Sequence, residues 1–232
     1  MVKFKLENLD KIIKILRQEV RKYRKPVVSF VADYSDNNPF LILISCLLSL
    51  RTQDKVTEGA TQRLFQLAKT PQEILKLPLR EIEKAIYPVG FYRVKARNIK
   101  RISEILVNKF KGKTPDDLDT LLSLPGVGRK TANLVLTEGF NKLGICVDTH
   151  VHRISNRLGL VKTKTPQETE FTLRKILPSK YWKEINYLLV TYGQNICKPI
   201  KPLCLQCRIY RFCERREIEK NGLILGKEVK NG

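Results

Sequence analysis

The stretch LPGVGRKTANLVL, residues 124–136, sets a glycine hairpin directly before a helical pattern, with Lys130 just inside the helix. Gly126 and Gly128 both permit positive φ, so backbone N–H groups can turn outward together at the helix start and seat a phosphate. On sterics alone the same G-x-G is a tight turn between two helices. An amine in the first turn of a helix feels the positive end of the dipole, and partial burial further disfavours its charged form. Some of Lys130 could then be the free base near neutral pH, and a neutral amine can attack carbon where an ammonium cannot. Among 44 Lys and Arg residues the same side chain also reads as a simple phosphate contact.

Helical signals continue on both sides of the hairpin. Leu9, Ile12, Ile13, Leu16 and Val20 share one face behind a candidate N-cap at Asn8, and Pro26 lies beyond the helix end. Asn38 and Pro39 form a cap and first-turn pair for Phe40–Leu50 (FLILISCLLSL), which has no polar stripe and is expected as a buried central helix. Thr70-Pro-Gln-Glu73 and Thr165-Pro-Gln-Glu168 fit the capping box, and Thr114-Pro115-Asp116-Asp117 is a close variant. Val56, Ala60, Leu64 and Leu67 keep the helical period, as do Ile99, Ile102, Leu106 and Phe110. No stretch alternates apolar and polar residues over strand length, so the expected fold is all-α. A chain of 232 residues suffices for one large or two modest domains, two being preferred, with the polar C-terminal dozen or so residues as a frayed tail.

The 44 basic residues against 23 acidic ones give a formal charge of +21, spread along the chain, which points to a polyanionic partner. Nucleic acid fits best, although an anionic membrane surface is compatible with charge alone. Phe40–Leu50, the longest apolar run, is about half of what a bilayer span needs, and no secretory h-region precedes it. A soluble, non-secreted, cytoplasmic protein without membrane partners is expected, nucleoid-associated in a prokaryote.

Two further constellations carry chemistry. Val147-Asp-Thr-His-Val-His-Arg153 puts Asp148 directly before a helical pattern, where an N-cap role fixes the direction of the carboxylate. A carboxylate so held could assist deprotonation of a nucleophile or offset developing positive charge. His150 and His152, the only histidines, would point to different sides of one helix and are not expected to share a metal. Cys197, Cys204, Cys207 and Cys213 fall within 17 residues and offer a set of thiolates, while Cys46 and Cys146 stand alone in apolar stretches. Thiolate softness does not choose between zinc and an iron–sulfur cluster, but gaps of six, two and five residues lean away from a zinc ribbon.

LPGVGRKTAN resembles the helix-hairpin-helix of the endonuclease III family of DNA glycosylases, VDTHVHR resembles that family's second signature, and the cysteine spacing is identical to its [4Fe-4S] loop. PFLILISCLLSLRTQD and VGFYRVKARNIKRI resemble the segments that precede the hairpin, so the likeness runs from about residue 8 to 216. By that resemblance Lys130 is the catalytic nucleophile and Asp148 the catalytic acid partner. Gly126, Val127, Gly128 and Arg129 would bind the DNA backbone, with Arg51, Gln53, Thr149 and His150 as further DNA contacts, and Cys197, Cys204, Cys207 and Cys213 would hold a [4Fe-4S] cluster. Arg51 departs from the glutamine common in the family, which bears on how the gap left by a flipped base is filled. Lys198, Lys201, Arg208, Arg211, Arg215 and Arg216, in and after the cysteine loop, are expected to face a DNA backbone.

The implied architecture is a two-domain helix-hairpin-helix glycosylase fold: a six-helix barrel domain at 32–142 and a discontinuous iron–sulfur domain at 1–31 and 143–232, with a DNA-binding cleft between. The implied activity is that of a bifunctional DNA N-glycosylase and AP lyase, acting as a monomer on double-stranded DNA that contains damaged pyrimidines or abasic sites. The damaged base would be flipped out, Lys130 would form a Schiff base, and β-elimination would cut the strand. Monofunctional mismatch glycosylases share the hairpin and cluster but lack a lysine at the place of Lys130. A docking protein without chemistry would need neither Lys130 nor Asp148.

Overall fold

The computed structural model describes residues 5–216 and Ile218. The expected C-terminal tail, beyond about 217, lies outside the described residues apart from Ile218. Those residues form α-helices and short 3₁₀ and π turns with no strand among them, as the periodicity predicts. In chain order the helices are α1 (Leu9–Val20), α2 (Val27–Tyr34), α3 (Pro39–Ser49), α4 (Asp54–Leu67), α5 (Pro71–Lys76), α6 (Leu79–Ile86), α7 (Tyr92–Phe110), α8 (Leu118–Ser123), α9 (Arg129–Leu134), α10 (Thr149–Leu158), α11 (Pro166–Ile176) and α12 (Trp182–Asn195). A π turn, Val135–Gly139, continues α9. The chain divides into two units, Lys25–Cys146 and a second made from the segment through Arg24 and the segment from Val147 onward.

In the first unit α3 is the central element. Phe40 through Leu48 are buried without interruption, and the helix packs against α2, α4, α7, α9 and the π turn. Its start is set locally, since Asn38 Oδ1 accepts from the N–H groups of Phe40 (3.0 Å) and Leu41 (3.2 Å) and Pro39 occupies the first turn. Ile99, Ile102 and Leu106 of α7 are buried as their spacing requires, whereas Leu67 of α4 is half exposed and Thr57, Thr61 and Phe65 take the inner face instead. Each fully buried Leu or Ile contributes about 1.5–3 kcal/mol relative to exposure.

In the second unit α12 packs against α1 and α10, and α11 packs against α10. Leu9, Ile12, Ile13, Leu16 and Val20 form the buried face of α1.

Helix starts show where local chemistry decides. At Thr70 the capping box is complete: Thr70 Oγ1 accepts from Glu73 N and Glu73 Oε2 accepts from Thr70 N. At Thr165 the hydroxyl accepts from Glu168 N, but the Glu168 carboxylate accepts from Lys164 N, one residue earlier than the box predicts. Two expected caps are corrected. Asn8 has helical dihedrals inside a 3₁₀ turn, Leu6–Asn8, and its side chain makes no cap bond. Thr114 does not start α8; Asp117 does, accepting from Thr120 N at 2.8 Å, while Asp116 is drawn to Lys142 at 2.6 Å. Asp is the stronger cap, and the ion pair fixes the chain before it.

Candidate functional site

The hairpin follows from its sequence position by position. Val127 N donates to Leu124 O at 3.1 Å across Pro125 and Gly126, and Gly126 has φ +76. Proline second and a positive-φ glycine third is the pattern of a type II turn. A Cβ on Gly126 would also lie 2.6 Å from Asn98 Nδ2. The second glycine departs from expectation: Gly128 caps α9 at φ −101 and ψ 175, extended backbone that any residue adopts. A Cβ at Gly128 would meet nothing within 4 Å, so the space in front of the helix start is open. Val127 is buried and its N–H closes the turn, so it anchors the hairpin while Gly126 and Gly128 are exposed.

Lys130 is the second residue of α9 and is half-buried. Beneath it lies the core: Thr131, Ala132, Asn133 and Leu134 are buried, and Cys146 Sγ is 3.5 Å from Lys130 O. Cys46 of α3 is enclosed near the same lysine; burial pushes its thiol up to about 12, with the Lys130 ammonium offsetting part of that rise. Both lone cysteines are therefore buried, reduced core residues.

Arg51 and Gln53 are exposed in the turn between α3 and α4. Arg51 adopts φ +52, and its guanidinium carbon sits 5.8 Å from the centre of the Phe91 ring. Phe91 is itself left-handed (φ +58) and 63% exposed. Phe91 and Lys95 gave no signal of their own in the sequence; one is an unremarkable aromatic and the other one lysine among many, and only the folded chain gives them partners.

In the second unit Asp148 caps α10, as its place before the helix predicts. Oδ1 accepts from His150 N at 2.8 Å and Val151 N at 2.9 Å, and the residue is 8% exposed. Thr149 is exposed and His150 half-buried. His150 Nδ1 meets Arg153 at 3.0 Å, whereas His152 Nδ1 meets Thr169 Oγ1 at 2.7 Å, so the two histidines have separate partners.

Cys197, Cys204, Cys207 and Cys213 follow α12 on a loop of two 3₁₀ turns, and each of Cys204, Cys207 and Cys213 feels the charge of Cys197. Burial pushes Cys207 up to about 11 and Cys213 up to about 12. Polar hydrogens surround the sulfurs: Tyr192 Oη donates to Cys207 Sγ at 3.2 Å, Arg215 N to Cys213 Sγ at 3.4 Å and Arg157 to Cys197 Sγ at 3.6 Å. Arg157 also donates to Lys198 O and Pro199 O, and Arg153 to Cys197 O, so α10 braces the loop. Among the described residues no group of three or more His, Cys, Asp or Glu forms a single-ion site. Of the six basic residues in and after the loop, Arg208 pairs with Glu19 of α1 at 3.0 Å and Arg216 with Glu214 at 2.5 Å, while Lys198, Lys201 and Arg211 are exposed.

Among the described residues no helix is long and apolar enough to cross a membrane. Residues 44–179 match the family described as HhH-GPD superfamily base excision DNA repair protein, the class that the hairpin and the helical fold define. The chain is 51% identical over 191 residues to endonuclease III of Thermotoga maritima, covering 82% of this chain and 90% of that one. It superposes on a non-covalent endonuclease III–DNA complex with TM-score 0.81 at 35% identity, covering 94% of this chain and 98% of that one. A trapped covalent endonuclease III–DNA intermediate is similar at TM-score 0.74 and 37% identity, over 88% and 97% of the two chains. The chain belongs to the endonuclease III family of that superfamily. It is a DNA-binding base excision repair enzyme, a DNA glycosylase with AP lyase activity.

Proposed function

We propose that Lys130 is the nucleophile of this glycosylase and lyase, that Asp148 is its carboxylate partner, and that the substrate is an oxidised pyrimidine in duplex DNA. The observation that carries the assignment is the placement of Lys130: half-buried, in the first turn of α9, behind a hairpin whose Gly126 and Gly128 leave the backbone open to a phosphate. In the reaction the Lys130 amine attacks C1′ of the sugar, the N-glycosidic bond breaks, and the base leaves with the bonding electrons and a proton. The nitrogen–carbon adduct opens to a Schiff base, and loss of a C2′ proton expels the 3′ phosphate. The Asp148 carboxylate offsets the positive charge that grows on the sugar and assists removal of the lysine proton. Capping leaves its direction fixed by two backbone N–H groups. Gly126, Gly128 and Arg129 serve the DNA backbone with Val127 as buried anchor, and Arg51, Gln53, Thr149 and His150 supply further contacts.

The cysteine loop suits a [4Fe-4S] cluster. Its four cysteines are half-buried, a bound cation would favour the thiolate forms of Cys207 and Cys213 that burial disfavours, and the Tyr192, Arg157 and Arg215 donors aim at the sulfurs as hydrogen bonds to thiolates do. Cys197, Cys204, Cys207 and Cys213 would hold the cluster, which would brace the loop that carries Lys198, Lys201 and Arg211.

Borohydride trapping on a duplex with an oxidised pyrimidine tests the assignment. A covalent adduct that vanishes in Lys130→Ala is expected. Base release without any adduct would make the protein monofunctional, and binding with neither would remove the chemistry.

A further inference from the structure

Lys95 stands in the first turn of α7, is 7% exposed, and directs its ammonium at neutral oxygens: Leu50 O at 2.6 Å, Leu48 O at 2.8 Å and Thr52 Oγ1 at 3.3 Å. Burial without a compensating carboxylate holds its pKa down to about 8. A buried ammonium of this kind costs free energy that a methionine or leucine would not, so stability alone gives no reason for a lysine here.

Its acceptors show what it holds. Leu48 O is one of the last carbonyls of α3, at the negative end of that helix, and Leu50 O and Thr52 belong to the turn that carries Arg51. Thr52 Oγ1 also accepts from Gly90 N at 3.2 Å. Gly90 comes so close to this turn that a Cβ there would stand 2.7 Å from Arg51 O. Lys95 therefore joins two loops, one bearing Arg51 and the other Phe91, whose side chains meet in the exposed cation–aromatic pair. Both residues hold left-handed backbone, which a non-glycine residue keeps only where its surroundings over-determine it.

We propose that Lys95 is a positioning residue for DNA handling: it locks the Leu50–Gln53 turn against the Val89–Phe91 loop, so that Arg51 and Phe91 are presented together to the base left unpaired when the damaged one is flipped. The proposal rests on the reading of Arg51 as a DNA-facing residue. Lys95 touches no reacting atom, and its effect passes through Arg51.

The test uses the full chain and a duplex with a tetrahydrofuran abasic analogue opposite 2-aminopurine, whose fluorescence reports what is inserted beside it. Lys95→Met is expected to abolish most of the fluorescence change seen with wild type at saturating protein, to the level of Arg51→Ala. On a second duplex, which carries an oxidised pyrimidine, it is also expected to slow single-turnover base release by about 10- to 100-fold. The double variant is expected to lose nothing further. Wild-type fluorescence and rate in Lys95→Met, or losses that multiply with those of Arg51→Ala, would overturn the positioning role while leaving Arg51 in place. An Arg51→Ala protein with an unchanged signal would overturn the reading of Arg51 and the proposal with it. Should Lys95→Met fail to fold, Thr52→Val decides: it removes the hydroxyl shared by Lys95 and Gly90, and a partial loss in the same direction is expected, a wild-type signal being the contrary result.

Discussion

Replacing Asp148 by Asn separates the helix cap that this side chain forms from the catalytic role proposed for it. As the cap of α10, Asp148 Oδ1 accepts from His150 N and Val151 N, and Asn presents a carbonyl oxygen that can accept the same bonds. Ala presents nothing, and because the site is 8% exposed the two N–H groups would be left with little water. The cost of Ala is therefore about 1–2 kcal/mol, and that of Asn a few tenths. For a chain of this size 1 kcal/mol moves Tm by about 2–4 °C, so Ala should melt about 2–8 °C low and Asn within about 1 °C of wild type. Charge behaves differently: Asn removes the carboxylate proposed to offset the sugar cation, and on that proposal single-turnover base release should fall by about 10²–10⁴-fold. Thermal melting followed by circular dichroism, beside quenched-flow base release, measures both quantities. An Asn variant that releases base within about threefold of wild type would refute the catalytic role, and one that melts as low as Ala would refute the cap as the source of stability.

Gly126→Ala is expected to destabilise by about 1–2 kcal/mol, because the position needs positive φ, and to weaken affinity for undamaged duplex; an unchanged melt would contradict the turn geometry. Leu43→Ala, at a wholly buried position of α3, should cost about 2–5 kcal/mol in chemical denaturation, whereas a surface-like change below about 0.5 kcal/mol would deny α3 its central place. Between pH 8 and 10.5 the unfolded chain keeps the Lys95 proton and the folded chain has lost it, so the stability of wild type relative to Lys95→Met should rise across that window. The expected rise is about 1–3 kcal/mol, read from denaturation at each pH, and a flat difference would mean that the ammonium is not desolvated. Cys207→Ser should lower bound iron and sulfide together with visible absorption, and normal cluster content would remove Cys207 from the ligand set.

Much of this protein is fixed by interactions that span a few residues, and these the sequence by itself determined. The apolar stretch Phe40–Leu48 behind Asn38-Pro39 reads as a buried helix and is one, Asn38 and Asp148 cap the residues two and three positions on, and Pro125-Gly126 closes its own turn. Local reading failed where a distant partner competed: Asp116 pairs with Lys142, and α8 begins at Asp117 rather than at Thr114. It also failed at Gly128, whose backbone is extended and where a Cβ would meet nothing within 4 Å, so the fold of the chain itself does not call for glycine there. Lys95 is the clearest case. Its acceptors lie 43 to 47 residues earlier in the chain, so nothing near it in sequence marks it from the other lysines. The coupling of Cys197 to the other three thiols, the bracing of their loop by Arg153 and Arg157, and the meeting of Arg51 with Phe91 likewise exist only once the helices pack. Short-range hydrogen bonds and hydrophobic period are written residue by residue, whereas burial and long-range partners are properties of the packed chain, and they decide which of many similar side chains acts.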